Sequence, residues 1–272
     1  MANSYRLAIT GASGRMGRAI LEAYATNPGV AQLVTVLDHP TSEWIGRDAG
    51  ALVGQQMGVS ITSDVSSLAS AQVVIDFTRP EATMEYLSVA QASNVAMVIG
   101  TTGFNNEQKV LLKAAAQTRA VLQSTNMGWG VNATFDILAY AAKVLGSQYD
   151  VEIVEMHHKH KVDAPSGTGL TMGERIADAW GTNLEECAVY GRQGITGERK
   201  TGTIGFSAVR GGDIIGEHTV IFAGAGERIE ITHRATNRSM WANGALKAAA
   251  FLQAQPAGWY EMKDVIDASL II

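Results

Sequence analysis

The first half of the chain alternates short apolar runs with longer segments of helical periodicity. Each apolar run is short enough to form one strand, and the helical segments lie between the runs. Continuous apolar strands separated by helices are typical of a parallel sheet that is buried on both faces. The pattern therefore predicts an α/β chain whose first domain is a Rossmann-like, doubly wound parallel sheet. The predicted strands lie at 5–10, 32–37, 73–77, 95–99 and 121–123.

The pattern changes after about residue 130. A helix is predicted over 131–145, and a strand opens at Val151. Three alternating runs follow, at 203–210, 217–222 and 227–233, joined by glycine-rich turns. Alternation of apolar and polar residues predicts strands with one exposed face, so we expect a second, α+β domain with a mixed or antiparallel sheet. An exposed sheet face favours association with another copy of the chain.

Composition and charge narrow the function classes. The chain has 272 residues, a formal net charge of −5 and 46% hydrophobic residues. Because the chain has no net positive charge, we do not expect it to bind nucleic acid or an anionic membrane. No apolar run reaches the roughly 18 residues of a membrane span, and residues 1–6 do not resemble a secretory signal. The single cysteine, Cys187, is consistent with a reducing compartment, so we expect a cytoplasmic protein.

A glycine-rich turn follows the first predicted strand. The sequence Gly11-Ala12-Ser13-Gly14-Arg15-Met16-Gly17 leads into a helical segment, which is the context of a dinucleotide-binding fingerprint. Glycines let the backbone approach a pyrophosphate at the start of the helix. Asp38 ends the second strand, 21 residues (38 − 17) after Gly17, where an acid would contact the adenosine ribose. Another interpretation of both features does not involve a nucleotide. Glycine turns that bind no nucleotide are common, and Asp38 could be only a turn residue before Pro40.

Polar residues also follow the later apolar strands. Gly100-Thr101-Thr102 comes after the fourth strand, and Ser124-Thr125-Asn126 after the fifth. Ligands of open parallel sheets bind beyond the carboxyl ends of the strands. We therefore expect these segments to meet Gly11 and Asp38 at one edge of the sheet, and this convergence favours a dinucleotide site.

A cationic stretch dominates the second half of the chain. Three of the six histidines and two lysines lie in His157-His158-Lys159-His160-Lys161, and Pro165-Ser166-Gly167-Thr168 follows. Ser166 is a candidate N-cap for a helix whose first turn would offer free backbone N–H groups. A proton-transfer cluster beside an anion-binding helix start suits a small carboxylate substrate that also exchanges a proton.

Two other interpretations of the cationic stretch stay open. Histidines and lysines at a strand end are often only a solvated edge. His158 and His160 have the spacing of metal ligands, although zinc sites usually recruit larger sets of cysteine, histidine or carboxylate ligands. Because the stretch is cationic, we expect no metal site.

These motifs assign a role to each predicted domain. Residues 1–128 are expected to bind the dinucleotide, and residues 129–238 to bind substrate and to mediate oligomerisation. A last amphipathic helix, over 241–252, is expected to return the segment 239–272 to the first domain.

Taken together, the motifs resemble those of the dihydrodipicolinate reductase family. The resemblance covers nearly the whole chain in order. Its histidine stretch is highly specific to the family, whereas the glycine loop occurs widely. The matching motifs are the glycine loop, Asp76-Phe77-Thr78-Arg79-Pro80, Gly100-Thr101-Thr102-Gly103, the stretch from Glu155 to Thr168, Gly202–Phe206, Gly216–Thr219 and Glu230–His233.

The resemblance implies a two-domain, homotetrameric oxidoreductase of lysine and diaminopimelate biosynthesis. Such an enzyme uses NADH or NADPH to reduce a cyclic dicarboxylate, 4-hydroxy-tetrahydrodipicolinate, to tetrahydrodipicolinate. The resemblance implies His157 as catalytic proton donor or acceptor and Lys161 as a proton donor. The implied substrate-binding residues are His158, Ser166, Gly167 and Thr168, with Thr102 nearby. The implied cofactor-binding residues are Gly11, Ala12, Ser13, Gly14, Arg15, Met16, Asp38, Gly100, Thr101, Thr102, Ser124, Thr125, Asn126 and Met127.

The chemistry of the residues is consistent with these roles. Hydride delivery to a conjugated C=C–C=N system leaves an electron-rich enamine that needs a proton. A histidine side chain titrates near neutral pH, and the pKa of a partly desolvated lysine can be lowered into that range. The helix start after Ser166 would supply N–H groups and hydroxyls to the two substrate carboxylates.

Four positions depart from the family pattern. His39 follows Asp38 where members often carry an arginine that would hold the 2′-phosphate of NADPH, so we expect NADH to be preferred or both cofactors to be accepted. Met127 and Gly128 replace an aromatic residue and a serine near the nicotinamide end. Ser13 replaces a frequent glycine and is small enough for the pyrophosphate to bind.

Two other functions fit parts of the pattern. A different two-domain dehydrogenase, for example one acting on an amino-acid semialdehyde, would need a nucleophilic cysteine. Cys187, however, is expected in an ordinary apolar, strand-like segment. A regulator that senses NAD(P) without catalysis is the other alternative. In such a protein the histidine stretch would have no function.

Overall fold

The computed structural model describes residues 4–270. Met1–Asn3, where no secretory signal was expected, and the last two residues of the predicted segment 239–272 lie outside that range. The chain forms two compact units, divided after Trp129 and again before Arg238. Residues 4–129 and 238–270 form the first unit, and Gly130–Asn237 forms the second.

The first unit contains a seven-stranded parallel sheet. Its strands are β1 (Tyr5–Thr10), β2 (Ala31–Leu37), β3 (Ile61–Thr62), β4 (Val73–Asp76), β5 (Ala96–Ile99), β6 (Ala120–Gln123) and β12 (Gly258–Tyr260). They lie in the order β12-β6-β5-β4-β1-β2-β3, and every neighbouring pair is parallel. The predicted doubly wound parallel sheet is therefore confirmed.

Helices cover both faces of this sheet. Leu7 and Ile9 of β1 share a buried cluster with α1 (Arg15–Thr26) and α7 (Ser239–Leu252). The intervening Ala8 lies in a second cluster with α2 (Pro80–Ser93) and α3 (Asn106–Ala115). Successive strand residues point to opposite faces, so an uninterrupted apolar strand supplies both layers. The last helix is α8 (Met262–Leu270).

One predicted boundary in the first unit is wrong. The segment between the fourth and fifth predicted strands has the periodicity of a helix from about residue 106 to 119, but helix α3 ends at Ala115. Arg119 is buried, and its guanidinium donates hydrogen bonds to the carbonyl oxygens of Ala90 and Gln91 near the end of α2. These hydrogen bonds hold Arg119, the residue directly before β6, against the C-terminal end of α2.

The second unit is a mixed five-stranded sheet with two main helices on one face. Its strands are β7 (Asp150–His157), β8 (Ala188–Tyr190), β9 (Ile204–Arg210), β10 (Glu217–Gly224) and β11 (Glu227–Arg234). They lie in the order β11-β10-β7-β9-β8, with β7 and β8 parallel to β9 and the β10 pairs antiparallel. The helices are α4 (Trp129–Leu145), which starts at the boundary, α5 (Gly167–Trp180) and the short α6 (Leu184–Cys187).

The two faces of the mixed sheet differ in burial. Val151 and Ile153 of β7 pack in a buried cluster with residues of α4 and α5, whereas Glu152 between them is only half-buried. On the open face, Val154 lies beside Ser207 and Met156 beside Val209. The predicted sheet with one exposed face is thus present. Cys187 was wrongly expected in a strand-like segment, because it is the last residue of α6.

No helix among residues 4–270 is both long enough and apolar enough to cross a membrane.

Candidate functional site

The glycine turn after β1 has the close backbone contacts that a dinucleotide site requires. Gly11 has a φ of +66°. A Cβ atom on Gly17 would lie 2.1 Å from the carbonyl oxygen of Gly11, so only glycine fits there. Helix α1 begins directly after Gly14, whose position provides no side-chain cap. Its first N–H groups are therefore available to a phosphate, and these residues fit a bound pyrophosphate.

Replacement of Gly17 by alanine is expected to weaken NADH binding by at least about tenfold, because phosphate binding depends on this close backbone approach. Gly29→Ala is the matched control, since a Cβ there would meet no atom within 4 Å. Isothermal titration of both variants with NADH measures the difference. Equal affinities would show that the glycine turn does not form the cofactor site.

Asp38 lies beside the glycine turn, as predicted. It is buried, and its Oδ2 accepts hydrogen bonds from the Ser13 N–H (3.2 Å) and the Ser42 hydroxyl (2.7 Å). These two contacts hold the carboxylate in place through Oδ2. His39 is exposed, and its Nδ1 lies 2.8 Å from the Thr41 hydroxyl.

A second carboxylate, Asp76, ties together the ends of three strands. It is fully buried and accepts hydrogen bonds from the hydroxyls of Thr10 (2.7 Å), Thr78 (2.6 Å), Thr83 (2.5 Å) and Thr101 (3.1 Å). The Thr101 hydroxyl also accepts the Thr78 N–H at 2.9 Å. Asp76 therefore positions the predicted cofactor residue Thr101, a role that the sequence did not reveal.

The segment after β6 is anchored to α7. Asn126 accepts a hydrogen bond from the Trp241 indole N–H at 2.9 Å and one from the Ser124 hydroxyl at 2.8 Å. Met127 is buried in the core, and its carbonyl oxygen lies where a Cβ on Gly244 would be. The structure thus places the Met127 side chain in the core of the first unit.

In the second unit, the sequence alternation of β7 buries both Glu155 and His157. His157 Nδ1 lies 2.5 Å from Glu155 Oε2. Arg210, which is opposite His157 in the β7–β9 pair, donates to both Glu155 oxygens at 2.8 and 2.6 Å. The backbone N–H of Ser166 donates to Glu155 Oε1 at 3.1 Å. Glu155 is thus the centre of a network that contains two predicted site residues.

The charge of Glu155 determines which nitrogen of His157 can exchange a proton. Burial opposes ionisation of Glu155, but hydrogen bonds from His157 and Arg210 outweigh it and lower its pKa to about 2. An ionised carboxylate only accepts hydrogen bonds, so Nδ1 of His157 carries a proton. Nε2 is then the ring nitrogen that can accept a proton. A Cβ on Gly216 would lie 3.1 Å from Nε2, so glycine keeps the space beside this atom open.

The low pKa of Glu155 predicts acid-sensitive stability. Because its pKa is about 2 in the fold and near the ordinary 4.5 when unfolded, its stabilising effect is complete above about pH 5. That stabilisation is lost progressively as the pH falls toward 2. Urea unfolding at several pH values between 7 and 3 gives the free energy of unfolding as a function of pH. This free energy should change less steeply with pH in Glu155→Gln than in the native protein. Equal slopes in both proteins would contradict the assignment.

Lys161 joins the same network through Asp163. Its Nζ donates to Asp163 Oδ1 at 2.8 Å, and its side chain is 20% exposed. The Asp163 carbonyl oxygen accepts a hydrogen bond from Arg210 at 2.7 Å. Burial opposes ionisation of Asp163, but Lys161 lowers its pKa below the ordinary value. Hydrogen bonds thus connect Lys161 to His157 through Asp163, Arg210 and Glu155.

The predicted N-cap of α5 is confirmed. The Ser166 hydroxyl accepts the Gly169 N–H at 3.1 Å, and Gly167 and Thr168 form the first turn. This helix start lies next to Glu155 through the Ser166 N–H. Thr102, the remaining predicted substrate residue, belongs to the first unit.

The rings of His158 and His160 lie 6.2 Å apart. Across residues 4–270, no group of three or more histidine, cysteine, aspartate or glutamate side chains is arranged to hold a metal ion.

Sequence analysis missed Glu155, Arg210 and Asp76 as site residues, and also His218, which lies opposite Glu155 in the β7–β10 pair. A weak signal existed, because Arg210 ends one predicted strand and His218 lies at the start of the next. Their proximity to Glu155 depends on strand order, which local pattern does not determine.

Comparison with known proteins gives a consistent result. Family models described as dihydrodipicolinate reductase, N-terminus, and dihydrodipicolinate reductase, C-terminus, match residues 5–127 and 130–266. The 4-hydroxy-tetrahydrodipicolinate reductase of Burkholderia ambifaria is 55% identical over 262 residues, covering 96% of this chain and 98% of its own. The same enzyme from Burkholderia thailandensis is 54% identical over 265 residues, covering 97% and 98%.

A solved structure agrees with the sequence relatives. Dipicolinate-bound dihydrodipicolinate reductase from Paenisporosarcina sp. TG-14 superposes with a TM-score of 0.70 at 25% identity, covering 95% of this chain and 97% of its own. With both domain models matched and more than half of the residues shared with full-length relatives, the chain belongs to the dihydrodipicolinate reductase family.

Proposed function

We propose that this chain catalyses the NAD(P)H-dependent reduction of 4-hydroxy-tetrahydrodipicolinate to tetrahydrodipicolinate. The observation that carries the proposal is the buried His157–Glu155–Arg210 network, with Lys161 and the α5 helix start attached to it. The full-length relatives that bear this enzyme's name support the same reaction. The product would serve lysine and diaminopimelate biosynthesis in the cytoplasm.

The first unit would hold the cofactor. Residues 11–16 would bind the pyrophosphate and Asp38 the adenosine ribose, while residues 100–102 and 124–127 would line the nicotinamide end. When bound, NAD(P)H supplies a hydride. The chain contributes fixed backbone N–H groups at α1 and a carboxylate that is already oriented by Ser13 and Ser42.

The second unit would bind the substrate and handle the proton. His157 would donate or accept it at Nε2, because Nδ1 is held by Glu155. Lys161 would act as a proton donor. Ser166, Gly167 and Thr168 would bind a substrate carboxylate through the N–H groups and hydroxyls of the α5 start, assisted by His158.

The related structure from Paenisporosarcina binds dipicolinate, a planar dicarboxylate. We expect dipicolinate to bind this chain too, as an analogue of the substrate. The open face of the mixed sheet, which carries Val154, Met156 and Val209, is the proposed contact surface of a homotetramer.

A semialdehyde dehydrogenase is a weaker alternative. Its chemistry needs a thiolate nucleophile. Cys187 is buried, and burial raises the pKa of its thiol. A buried thiol with a raised pKa is a poor nucleophile at neutral pH.

Loss of nicotinamide absorbance on mixing the protein, NADH and freshly made cyclic substrate tests the function. We expect turnover that dipicolinate inhibits competitively against the cyclic substrate. Binding of NADH without any turnover would favour a nucleotide-sensing protein instead.

We expect NADH to be preferred or both cofactors to be accepted, with NADPH use improving as the pH falls toward 6. The Asp38 carboxylate repels a 2′-phosphate, and His39 cannot form the bidentate contact of an arginine. A protonated imidazole would partly compensate. Values of kcat/KM for both cofactors between pH 6 and 8, in the native protein and in His39→Ala, measure this. A strong, pH-independent NADPH preference that survives His39→Ala would place the phosphate contact elsewhere.

A further inference from the structure

His218 is a buried residue beside the predicted catalytic centre that the reaction scheme above does not use. It lies opposite Glu155 in the β7–β10 pair and is 4% exposed. Its ring packs edge-to-face against His157, with centroids 5.2 Å apart. Its Nε2 lies 2.8 Å from the Ser166 hydroxyl oxygen. His218 therefore contacts two residues of the proposed site at once.

The role of His218 follows from the bonding capacity of a hydroxyl group. A serine hydroxyl has one proton to donate and two lone pairs that accept. The Gly169 N–H already occupies one lone pair of Ser166. If His218 carries its proton on Nε2, it occupies the other. The Ser166 hydroxyl can then only donate, and its natural partner is an anionic oxygen.

The other tautomer of His218 is less suited to a bound complex. With the proton on Nδ1, the Ser166 hydroxyl would donate its proton to Nε2. The hydroxyl could then not donate a hydrogen bond to the substrate. The Nδ1–H group would also be buried without a hydrogen-bond partner among the described residues. Buried unpaired N–H donors are rarer in proteins than under-satisfied acceptors. A bound carboxylate therefore selects the tautomer with the proton on Nε2.

We propose that His218 is a positioning residue that fixes the Ser166 hydroxyl as a donor to one carboxylate of the substrate. The proposal rests on the proposed function, because it requires a carboxylate at the start of α5. It also assigns specificity, since a hydroxyl that can only donate favours a carboxylate over an amide N–H or an ammonium group at that position.

The charge state of His218 is consistent with this role. Burial, with a further contribution from the neighbouring His157, lowers its pKa to about 3. The other titratable groups that act on it are Glu155, His233 and Lys161. A ring that stays neutral at working pH provides one fixed donor and adds no positive charge beside His157.

Two variants that differ by one methylene group test the proposal. In His218→Gln, the amide nitrogen can reach the position of Nε2, whereas the shorter side chain in His218→Asn cannot. Since a hydrogen bond to a charged group changes affinity by about 10- to 100-fold, we expect His218→Asn to weaken dipicolinate binding at least about tenfold. Because the amide nitrogen of His218→Gln keeps this hydrogen bond, its Kd for dipicolinate should lie within about threefold of the native value. NADH affinity and kcat should change little, so the loss should appear in KM for the cyclic substrate.

A double-variant cycle shows whether His218 acts through Ser166. If it does, dipicolinate should bind the pair His218→Asn, Ser166→Ala no more weakly than Ser166→Ala alone. Additive losses would overturn the proposal, because His218 would then act independently. Native affinity in His218→Asn would overturn it as well.

The tautomer is measured directly by histidine-selective nitrogen NMR of the native protein saturated with dipicolinate. We expect the His218 proton on Nε2 from pH 5 to 8, and a proton on Nδ1 would overturn the proposal even if His218→Asn does not fold. Absence of dipicolinate binding to the native protein would instead overturn the proposed function, and this inference with it. Normal native binding with the wrong tautomer would overturn only the role of His218.

Discussion

Lys161→Ala is expected to lower kcat by about 10²–10⁴-fold, the usual cost of losing a general acid. Lys161 is held by Asp163 and connected through Arg210 to Glu155, so its Nζ is fixed within the network that holds His157. It belongs to the second unit, whereas the proposed cofactor residues belong to the first. The Kd for NADH should therefore remain close to the native value. Single-turnover reduction, followed by NADH absorbance, measures the effect on chemistry.

Lys159→Ala is the matched control for Lys161→Ala. Lys159 lies in the same stretch and carries the same charge, but it is exposed. A general electrostatic effect would slow both variants equally, whereas a proton donor at Lys161 predicts a large loss in one only. Asp163→Asn separates positioning from proton donation, because it removes the carboxylate that holds Nζ but keeps the amine. Near-native turnover in Lys161→Ala would remove Lys161 from the mechanism.

Most of the fold could be predicted because the first sheet is buried on both faces. The apolar run at 5–10 coincides with β1, and the glycine turn marks its end. Strand β3 has two residues and β12 has three, too few for any periodicity to be visible. Both lie at the edges of the sheet, where pairing with a neighbour determines strand formation. Helix α8 was also not predicted.

The candidate site was predictable only where its residues are adjacent in sequence. His157, Lys161 and Ser166 lie within ten positions, and their residue types indicate proton transfer and anion binding. Arg210 and His218 reach Glu155 only because β9 and β10 flank β7. These pairings join residues more than 50 positions apart, as the Arg210–Glu155 bonds do with a separation of 55. Helical and strand periodicity carry no information about such partners.

His157 substitutions should abolish most turnover while the fold and NADH affinity persist. His157→Asn can keep a donor near Nδ1 for Glu155 but has no group at Nε2. His157→Gln can place an amide nitrogen near Nε2 but cannot titrate. Because an amide cannot replace a general acid or base, both variants should lose about 10²–10⁴-fold in kcat.

The pH–rate profile identifies the His157 contribution more specifically than the rate itself. If Nε2 of His157 exchanges the proton, the native profile should contain a limb that this imidazole produces. That limb should be missing in both His157→Asn and His157→Gln. The Glu155 carboxylate cannot produce a limb above about pH 5, because its pKa of about 2 keeps it ionised there. An unchanged profile in either variant would assign the titrating group to another residue, and Lys161 would be the first to test.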